Sequence, residues 1–241
     1  MFSDSTLQIS RWLLAALGTQ SFLYHEDRIP RSGSVLVVSN HRSFLDPVLL
    51  TAAIGRPIRF ACHHYMGQVP VMREVVTTFG AFPLEEPTHR QQHFFEQATA
   101  LLQAREMVGV FPEGAEPMVK FTPANTVGKF QRGFAHLAMR APVQGLAVLP
   151  VAIASYQEQS IRSTVPLRLL SLFDPSEPLF SQSGWHPLII YQRTNILIGR
   201  PYWITPSVKQ RYQGKEAKKV VTELTEHCQG EITQLLSKGC L

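Results

Sequence analysis

The sequence has no long apolar run that suits a bilayer. No stretch reaches the roughly 18–20 uninterrupted apolar residues of a membrane-spanning helix. The best candidate runs from Trp12 to Tyr24 and is broken by Gly18, Thr19 and Gln20. It also lacks a charged start and a small-residue cleavage site, so we expect no signal peptide. These absences predict a chain that does not span a membrane.

Cysteine is also scarce. The three cysteines, Cys62, Cys228 and Cys240, are too few and too widely spaced for a disulfide framework. A reducing, cytoplasmic setting therefore fits the chain best. No residues follow a zinc-type spacing, so we expect no metal.

Charge is present but not concentrated. Lys and Arg number 23 against 18 Asp and Glu, which leaves a formal net charge of +5. This mild excess favours anionic surfaces such as lipid headgroups. The chain has no long basic run and no aromatic RNA-binding motif, so we expect no nucleic-acid partner. With 44% hydrophobic and 17% charged residues, it can bury a sizeable core.

Apolar strand-like runs alternate with helix-like segments along the chain, which predicts an α/β fold. We expect a single domain over residues 1–241, with a mixed, mostly parallel sheet flanked by helices. Residues 1–25 would hold an N-terminal amphipathic helix, and residues 35–155 the core that bears the motifs. Predicted strands cover Val35 to Val38, Pro57 to Cys62, Met107 to Phe111 and Gly145 to Ile153. Predicted helices begin at Pro47 and cover Met72 to Thr78, His89 to Ala104, the surroundings of Phe134, and Lys215 to Lys238.

Two further segments have their own patterns. Residues Gln157 to Pro187 look irregular, and Leu188 to Gly199 predict a hairpin or paired strands. In the N-terminal helix, Leu13 and Leu17 belong to an apolar stripe, and Trp12 lies beside it. Such a helix either packs on the domain or lies in a membrane interface, and packing is the default.

The segment VVSNHRSFLDPV, Val37 to Val48, ends an apolar strand at a polar turn that contains His41 and Asp46. Residues five apart are rotated by about 500° on a helix, so these two can meet only across a turn. Asp46 as N-cap and Pro47 as first helical residue would permit that turn. One interpretation is purely structural, with Asp46 capping a helix. In the other, His41 accepts a hydroxyl proton while the carboxylate fixes its tautomer.

A second turn follows another predicted strand. The stretch VFPEGAEP, Val110 to Pro117, carries an acid at Glu113 and a flexible Gly114. Alone it is an ordinary strand-ending turn. Together, N-H-x4-D and F-P-E-G in this order resemble the glycerolipid acyltransferase family, which acylates lysophosphatidic acid and related acceptors. The resemblance covers roughly Val35 to Ile153, with weaker matches at FGAFPL, GKFQRGFAHLA and LPV.

This resemblance implies a fold, a mechanism and a set of site residues. The family fold is an α/β domain with a membrane-facing entry. His41 would be the general base and Asp46 its orienting carboxylate. The donor would be acyl-CoA or acyl carrier protein, with no cofactor or metal, acting on a lipid acceptor at the membrane surface. The implied substrate-binding residues are Asn40, Ser43, Phe111, Pro112, Glu113, Gly114 and Arg132.

The chain departs from the family at two positions. Glu86 and Glu116 stand where the family has arginines thought to hold the acceptor phosphate. Two acids there would repel a phosphate dianion. Basic residues nearby that would compensate are Arg90, Lys120, Lys129 and Arg132. The departures leave two alternatives open: acylation of a non-phosphorylated lipid alcohol, or a non-catalytic lipid-binding protein of the same fold. An esterase with Ser43 as nucleophile is disfavoured because no G-x-S-x-G elbow is present.

Overall fold

The structure is a computed structural model that describes residues 2–62, 78–83, 90–114, 116–119, 122–166 and 185–238. Its helices are α1 (Phe2–Ala16), α2 (Asp46–Ile54), α3 (Arg90–Gln103), α4 (Glu116–Val119), α5 (Gly133–Arg140), α6 (Pro206–Gln210) and α7 (Glu216–Lys238), with a 3-10 turn at Glu26–Arg28. Its strands are β1 (Gln20–Tyr24), β2 (Val35–Ser39), β3 (Ile58–Cys62), β4 (Phe82–Pro83), β5 (Met107–Val110), β6 (Leu146–Pro166), β7 (Trp185–Ile198) and β8 (Tyr202–Ile204).

The strands of these residues form one mixed sheet in the order β1-β7-β6-β2-β5-β3-β4, and β8 pairs with the start of β6. Among the described strands, only the pairs that β6 makes with β7 and β8 are antiparallel. Helices connect the parallel strands, as parallel pairing requires. The predicted fold class is therefore confirmed: a mostly parallel α/β sheet with an N-terminal helix.

Strand β2 lies inside the sheet, and both of its faces are covered. All five of its residues are buried, which explains the continuous apolar run VLVV. Leu36 and Val38 face a cluster built on α3, α5 and α7. Val35 and Val37 face the opposite cluster, to which α1 and α2 contribute. The site-bearing strand is thus held between two apolar layers.

The register of β2 and β5 positions the two motifs. The strands are parallel neighbours, and Val38 pairs with Val110. The residues that follow these two positions therefore leave the sheet at the same edge. This brings the turn that contains His41 beside the turn that contains Glu113.

Several predicted boundaries were wrong. Helix α2 begins at Asp46 with Leu45 as N-cap, so Asp46 is the first helical residue, not the cap. Its carboxylate instead accepts hydrogen bonds from the preceding turn. Within residues 1–25 the helix ends at Ala16, and Gln20–Tyr24 form an edge strand paired with β7.

The irregular segment predicted at Gln157 to Pro187 was also wrong at both ends. Strand β6 continues to Pro166, and β7 already begins at Trp185. Leu188 to Gly199 is not itself a hairpin, since β7 runs without a break to Ile198 and pairs with β6. The helix predicted at Met72 to Thr78 lies outside the described residues except for Thr78.

No helix within the described ranges is both long and apolar enough to cross a bilayer. Helix α7 is the longest of them, and it follows the predicted stripe closely. Its buried face is formed by Val220, Val221, Leu224, Thr225, Cys228, Ile232 and Leu236. Leu235, predicted in that stripe, is partly buried.

Candidate active site

The turn between β2 and α2 brings His41 and Asp46 into direct contact. The Nδ1 atom of His41 lies 2.8 Å from Oδ2 of Asp46. The Asp46 side chain is 0% exposed, whereas the His41 side chain is 15% exposed. One partner is therefore fully withdrawn from solvent, and the other remains open to a small reacting group.

The Asp46 carboxylate accepts hydrogen bonds at both oxygens. Its Oδ2 accepts from the backbone amides of Arg42, at 2.7 Å, and Ser43, at 2.9 Å, in addition to His41. Its Oδ1 accepts from the Tyr191 hydroxyl at 2.6 Å. A carboxylate surrounded by donors takes the Nδ1 proton of the imidazole as one more donor. The Nε2 atom of His41 is then the unprotonated nitrogen, available as a base.

The His41 ring is packed against an aromatic stack. It lies on the Phe111 ring with centroids 4.0 Å apart and planes inclined by 10°. Phe111 in turn stacks on Phe60 at 5.1 Å. This packing restricts the imidazole to one orientation. Phe111 thus contacts the candidate base itself.

Glu113 connects the two motif turns through the backbone. Its Oε1 accepts from the His41 amide at 2.9 Å, and its Oε2 accepts from the Gly128 amide. Burial raises the pKa of this carboxyl, and the two amide hydrogen bonds offset only part of that rise. A Cβ at Gly128 would lie 2.8 Å from Oε2, so this close approach requires glycine. Gly114 has φ 73°, which also favours glycine.

Arg42 points away from Asp46 and forms an ion pair with strand β6. Its Nε donates to Oε2 of Glu158 at 2.7 Å, and its Nη2 donates to the other carboxylate oxygen. Its Nη1 donates to the carbonyl of Thr122 at 2.8 Å. The hydrogen bond to Glu158 raises the pKa of Arg42 despite its burial. Burial raises the pKa of Glu158, but hydrogen bonds from Arg42 and Ser155 lower it further, and the net shift is downward.

The other predicted site residues occupy different positions. Asn40 is buried and exchanges two hydrogen bonds with the backbone of Ile153 on β6. Ser43 is buried, and its hydroxyl donates to the carbonyl of Ile189 at 2.6 Å. Pro112 accepts a hydrogen bond from the Gln131 amide, and Arg132 is exposed at the start of α5. Arg132 does not join the His41–Asp46 cluster through any contact recorded among the described residues.

Three residues of this network were not identified from the sequence. Arg42 lies inside the first motif, but its partner Glu158 was placed in a segment predicted to be irregular. Tyr191 lies in a run predicted to form strands, and a tyrosine is common in strands. No sequence signal connected either partner to His41.

The arrangement can perform general-base chemistry on a hydroxyl. A base with its second nitrogen bound to a carboxylate can accept a proton and stabilise the resulting cation. No cluster of three or more His, Cys, Asp or Glu in the described part of the chain is arranged to hold a metal ion. The two described cysteines, Cys62 and Cys228, are free thiols. Burial raises the pKa of Cys62 to about 12, so it is not a thiolate nucleophile near neutral pH.

Comparison with known proteins identifies the chain's relatives. The sequence model of the acyltransferase family matches residues 21–154, which include both motif turns. The 1-acyl-sn-glycerol-3-phosphate acyltransferase of Borreliella burgdorferi is 21% identical over 174 residues. That match covers 72% of this chain and 65% of the relative, so the chain spans slightly less than two thirds of the relative's length.

A solved structure has the same fold. The crystal structure of PlsC from Thermotoga maritima, a 1-acyl-sn-glycerophosphate (LPA) acyltransferase, superposes with a TM-score of 0.59. The superposition covers 98% of this chain and 78% of that one, with 15% sequence identity. At this identity the likeness concerns the fold. Glu158 and Tyr191 both lie beyond the end of the family match.

Proposed function

Because the chain belongs to the acyltransferase family, we propose that it transfers a fatty acyl group from a thioester donor to the hydroxyl of a glycerolipid. The donor is acyl-CoA or acyl carrier protein, and the acceptor is lysophosphatidic acid or a related lipid of phospholipid synthesis. The observation that carries this proposal is the contact between His41 and the buried Asp46. No cofactor or metal takes part in the proposed reaction.

In the proposed mechanism, Nε2 of His41 removes the proton of the acceptor hydroxyl as its oxygen attacks the thioester carbonyl. Asp46 stabilises the imidazolium that forms. The carbon–sulfur bond then breaks, and the imidazolium returns the proton to the departing thiolate. No acyl-enzyme forms. General-base assistance contributes about 10²–10⁴-fold to the rate, and positioning of donor and acceptor contributes much of the rest.

The turn that follows β5 forms the other side of the proposed site. Phe111 orients the His41 ring, and Glu113 ties the His41 amide to the segment around Gly128. Both oxygens of Glu113 are already occupied by backbone amides, so we propose that it shapes the acceptor site by fixing the turn. Pro112 and Gly114 form the backbone of that turn.

The acceptor headgroup depends on the charges near this turn. The carboxylate of Glu116 begins the exposed end of α4, and the Arg42 guanidinium is already paired with Glu158. These two observations favour an acceptor without a phosphomonoester as the second candidate. Lysophosphatidic acid would instead require contacts from other basic residues, such as the exposed Lys129 and Arg132.

We further propose that the protein works on the cytoplasmic surface of a membrane. Trp12 on α1 is 74% exposed, and Phe44 in the motif turn is 41% exposed. Phe44 lies between His41 and Asp46 in the chain, so lipid contact at Phe44 would bring the site to the acceptor. Thr19, just beyond α1, donates to the carbonyl of Tyr191 at 2.8 Å, which places the end of α1 at the same edge of the sheet.

An assay of thiol release tests the proposed function. Acyl-CoA and acyl carrier protein are each supplied with lysophosphatidic acid, monoacylglycerol or no acceptor. We expect thiol release that depends on one lipid alcohol and is lost in His41→Ala, with the fold checked by circular dichroism. Full activity in His41→Ala would refute the base. No release with any acceptor, while vesicles are still bound, would favour the non-catalytic alternative.

A further inference from the structure

Tyr191 is a fully buried residue of β7 that reaches the candidate active site. Its exposed fraction is 0%, and its hydroxyl donates to Oδ1 of Asp46 at 2.6 Å. Strand β7 lies between β1 and β6, so its backbone is paired on both sides. The tyrosine therefore approaches the motif turn from a rigid element that lies outside the family match.

The two oxygens of Asp46 have different partners. Oδ2 accepts from His41 and from two backbone amides of the turn. Oδ1 accepts from Tyr191. Binding at both oxygens prevents the carboxylate from rotating about its Cβ–Cγ bond. Tyr191 is thus the contact that completes the orientation of Asp46 toward the imidazole.

Strand β7 holds the same turn at a second point. The carbonyl of Ile189, two residues before Tyr191, accepts from the Ser43 hydroxyl at 2.6 Å. Residues two apart on a strand lie on the same face, so both contacts come from one side of β7. The Thr19 hydroxyl donates to the carbonyl of Tyr191 and fixes that position from the β1 side. The tyrosine is therefore held in place independently of Asp46.

We propose that Tyr191 is a positioning residue of the active site, whose hydroxyl orients Asp46 and moderates its negative charge toward His41. This inference rests on the proposed acyl transfer. A donor at Oδ1 withdraws charge from the carboxylate and weakens its attraction for the imidazolium. The imidazole is then kept neutral and basic at a lower pH than an unmoderated carboxylate would allow.

The surrounding charges leave this effect visible. The other titratable groups that face the pair are Glu113, whose carboxylate binds the His41 amide, and the Arg42–Glu158 ion pair on the β6 side. None of them is altered by a change at Tyr191. Burial, together with the Asp46 carboxylate, raises the pKa of Tyr191 well above its usual range, so the phenol remains a donor throughout the working pH range.

The test compares Tyr191→Phe with Thr194→Val. Thr194 is a fully buried residue of the same strand, and its hydroxyl donates to the carbonyl of Ala154 at 3.0 Å. Both variants therefore remove one buried hydroxyl from β7. The readouts are the pH profile of kcat/KM for acyl transfer and the titration midpoint of the His41 ring proton by NMR, each on the full chain.

For Tyr191→Phe we expect both midpoints to move upward by about 0.5–1 pH unit, with kcat lowered about 10-fold at the plateau and KM changed less than twofold. Thr194→Val should leave both midpoints unchanged. Equal profiles for the native protein and Tyr191→Phe, or equal shifts in both variants, would overturn the role of Tyr191. If the native protein shows no transfer, the NMR midpoint still decides the inference, while the proposed function fails separately.

A replacement that keeps the side chain's size protects the test against misfolding. Site-specific 3-fluorotyrosine at position 191 has a more acidic phenol and is a stronger donor. We expect it to move the NMR midpoint of His41 downward, opposite to Tyr191→Phe. A midpoint that stays at the native value, or moves upward, would contradict the inference.

Discussion

The imidazole of His41 lies flat against the ring of Phe111, with centroids 4.0 Å apart. This contact joins the residue after one strand to the residue after its parallel neighbour. It fixes the plane of the base while Asp46 fixes its rotation within that plane. The two constraints come from different parts of the chain, so they can be separated by mutation.

Phe111→Leu keeps an apolar side chain but removes the flat surface under His41. We expect kcat to fall about 10-fold, because a misoriented base loses its alignment with the hydroxyl. The matched control is Phe60→Leu, which makes the same change one ring farther from His41. Steady-state kinetics and thermal melts of both variants are compared. Equal losses of kcat at equal stability would show that the stacking on His41 has no special role.

Glu158→Gln breaks the ion pair and leaves the buried Arg42 guanidinium without its charged partner. We expect a loss of about 3 kcal/mol in the free energy of unfolding, measured with urea at neutral pH. The control is Glu106→Gln, which breaks the more exposed pair with Arg59 and should cost at most about 1 kcal/mol. Similar losses for both pairs would contradict the importance of burial.

The Glu158 pair also predicts a pH dependence. Its folded pKa is lowered from the ordinary value of 4.5, so its stabilisation is present above that value and is lost as the pH falls through the folded pKa. The stability difference between the native protein and Glu158→Gln should therefore shrink in acid. Urea unfolding from neutral pH down to mildly acidic pH measures it. A difference that stays constant would be inconsistent with this titration.

Glu113→Gln has the opposite pH signature. Burial raises the folded pKa of Glu113 above the ordinary 4.5, so its contribution to stability is complete below that value and is lost as the pH rises through the folded pKa. We expect the advantage of the native protein over Glu113→Gln to grow on acidification. At neutral pH the variant should lose about 1–3 kcal/mol, because an amide group cannot accept from both His41 and Gly128. Unfolding in urea across the same pH series checks both statements.

Trp12→Ala tests the proposed membrane contact. We expect vesicle affinity to fall about 10-fold, since burial of one large apolar side chain in lipid is lost. Trp203→Ala is the control: Trp203 is 49% exposed but pairs with Ala147, at the end of the sheet opposite to His41. Co-sedimentation with anionic phospholipid vesicles measures both. Equal losses would mean that the orientation proposed at the membrane is wrong.

The sequence predicted the parts of the fold that local pattern determines. The apolar run at β2, the stripe of α7 and the alternation of strands with helices depend on neighbouring residues, and these predictions held. The path of β6 and β7 did not follow from pattern. Polar residues such as Gln157 and Glu158 are tolerated in β6 because the strands pair with each other beyond the core. Long-range pairing of this kind overrides local propensity.

The site shows the same division. His41, Asp46 and the Phe111–Gly114 turn follow neighbouring strands of the same sheet, so motif and topology together place them at one edge. Glu158 and Tyr191 come from strands far along the chain, and their contact with the motif depends on sheet order. Asp46 was expected to cap α2, but the turn curls back so that its carboxylate binds the Arg42 and Ser43 amides. The geometry of that turn could not be read from residue types alone.

The order of strands has a consequence for how the protein matures during synthesis. Strand β1 leaves the ribosome within the first 24 residues, yet its partner in the described sheet is β7, at Trp185–Ile198. The motif turn likewise waits for Tyr191. A nascent chain that already displays His41 and Glu113 therefore still lacks a fixed Asp46. The reactive base would be assembled only when synthesis is nearly complete, which keeps unfinished chains from acting on thioesters.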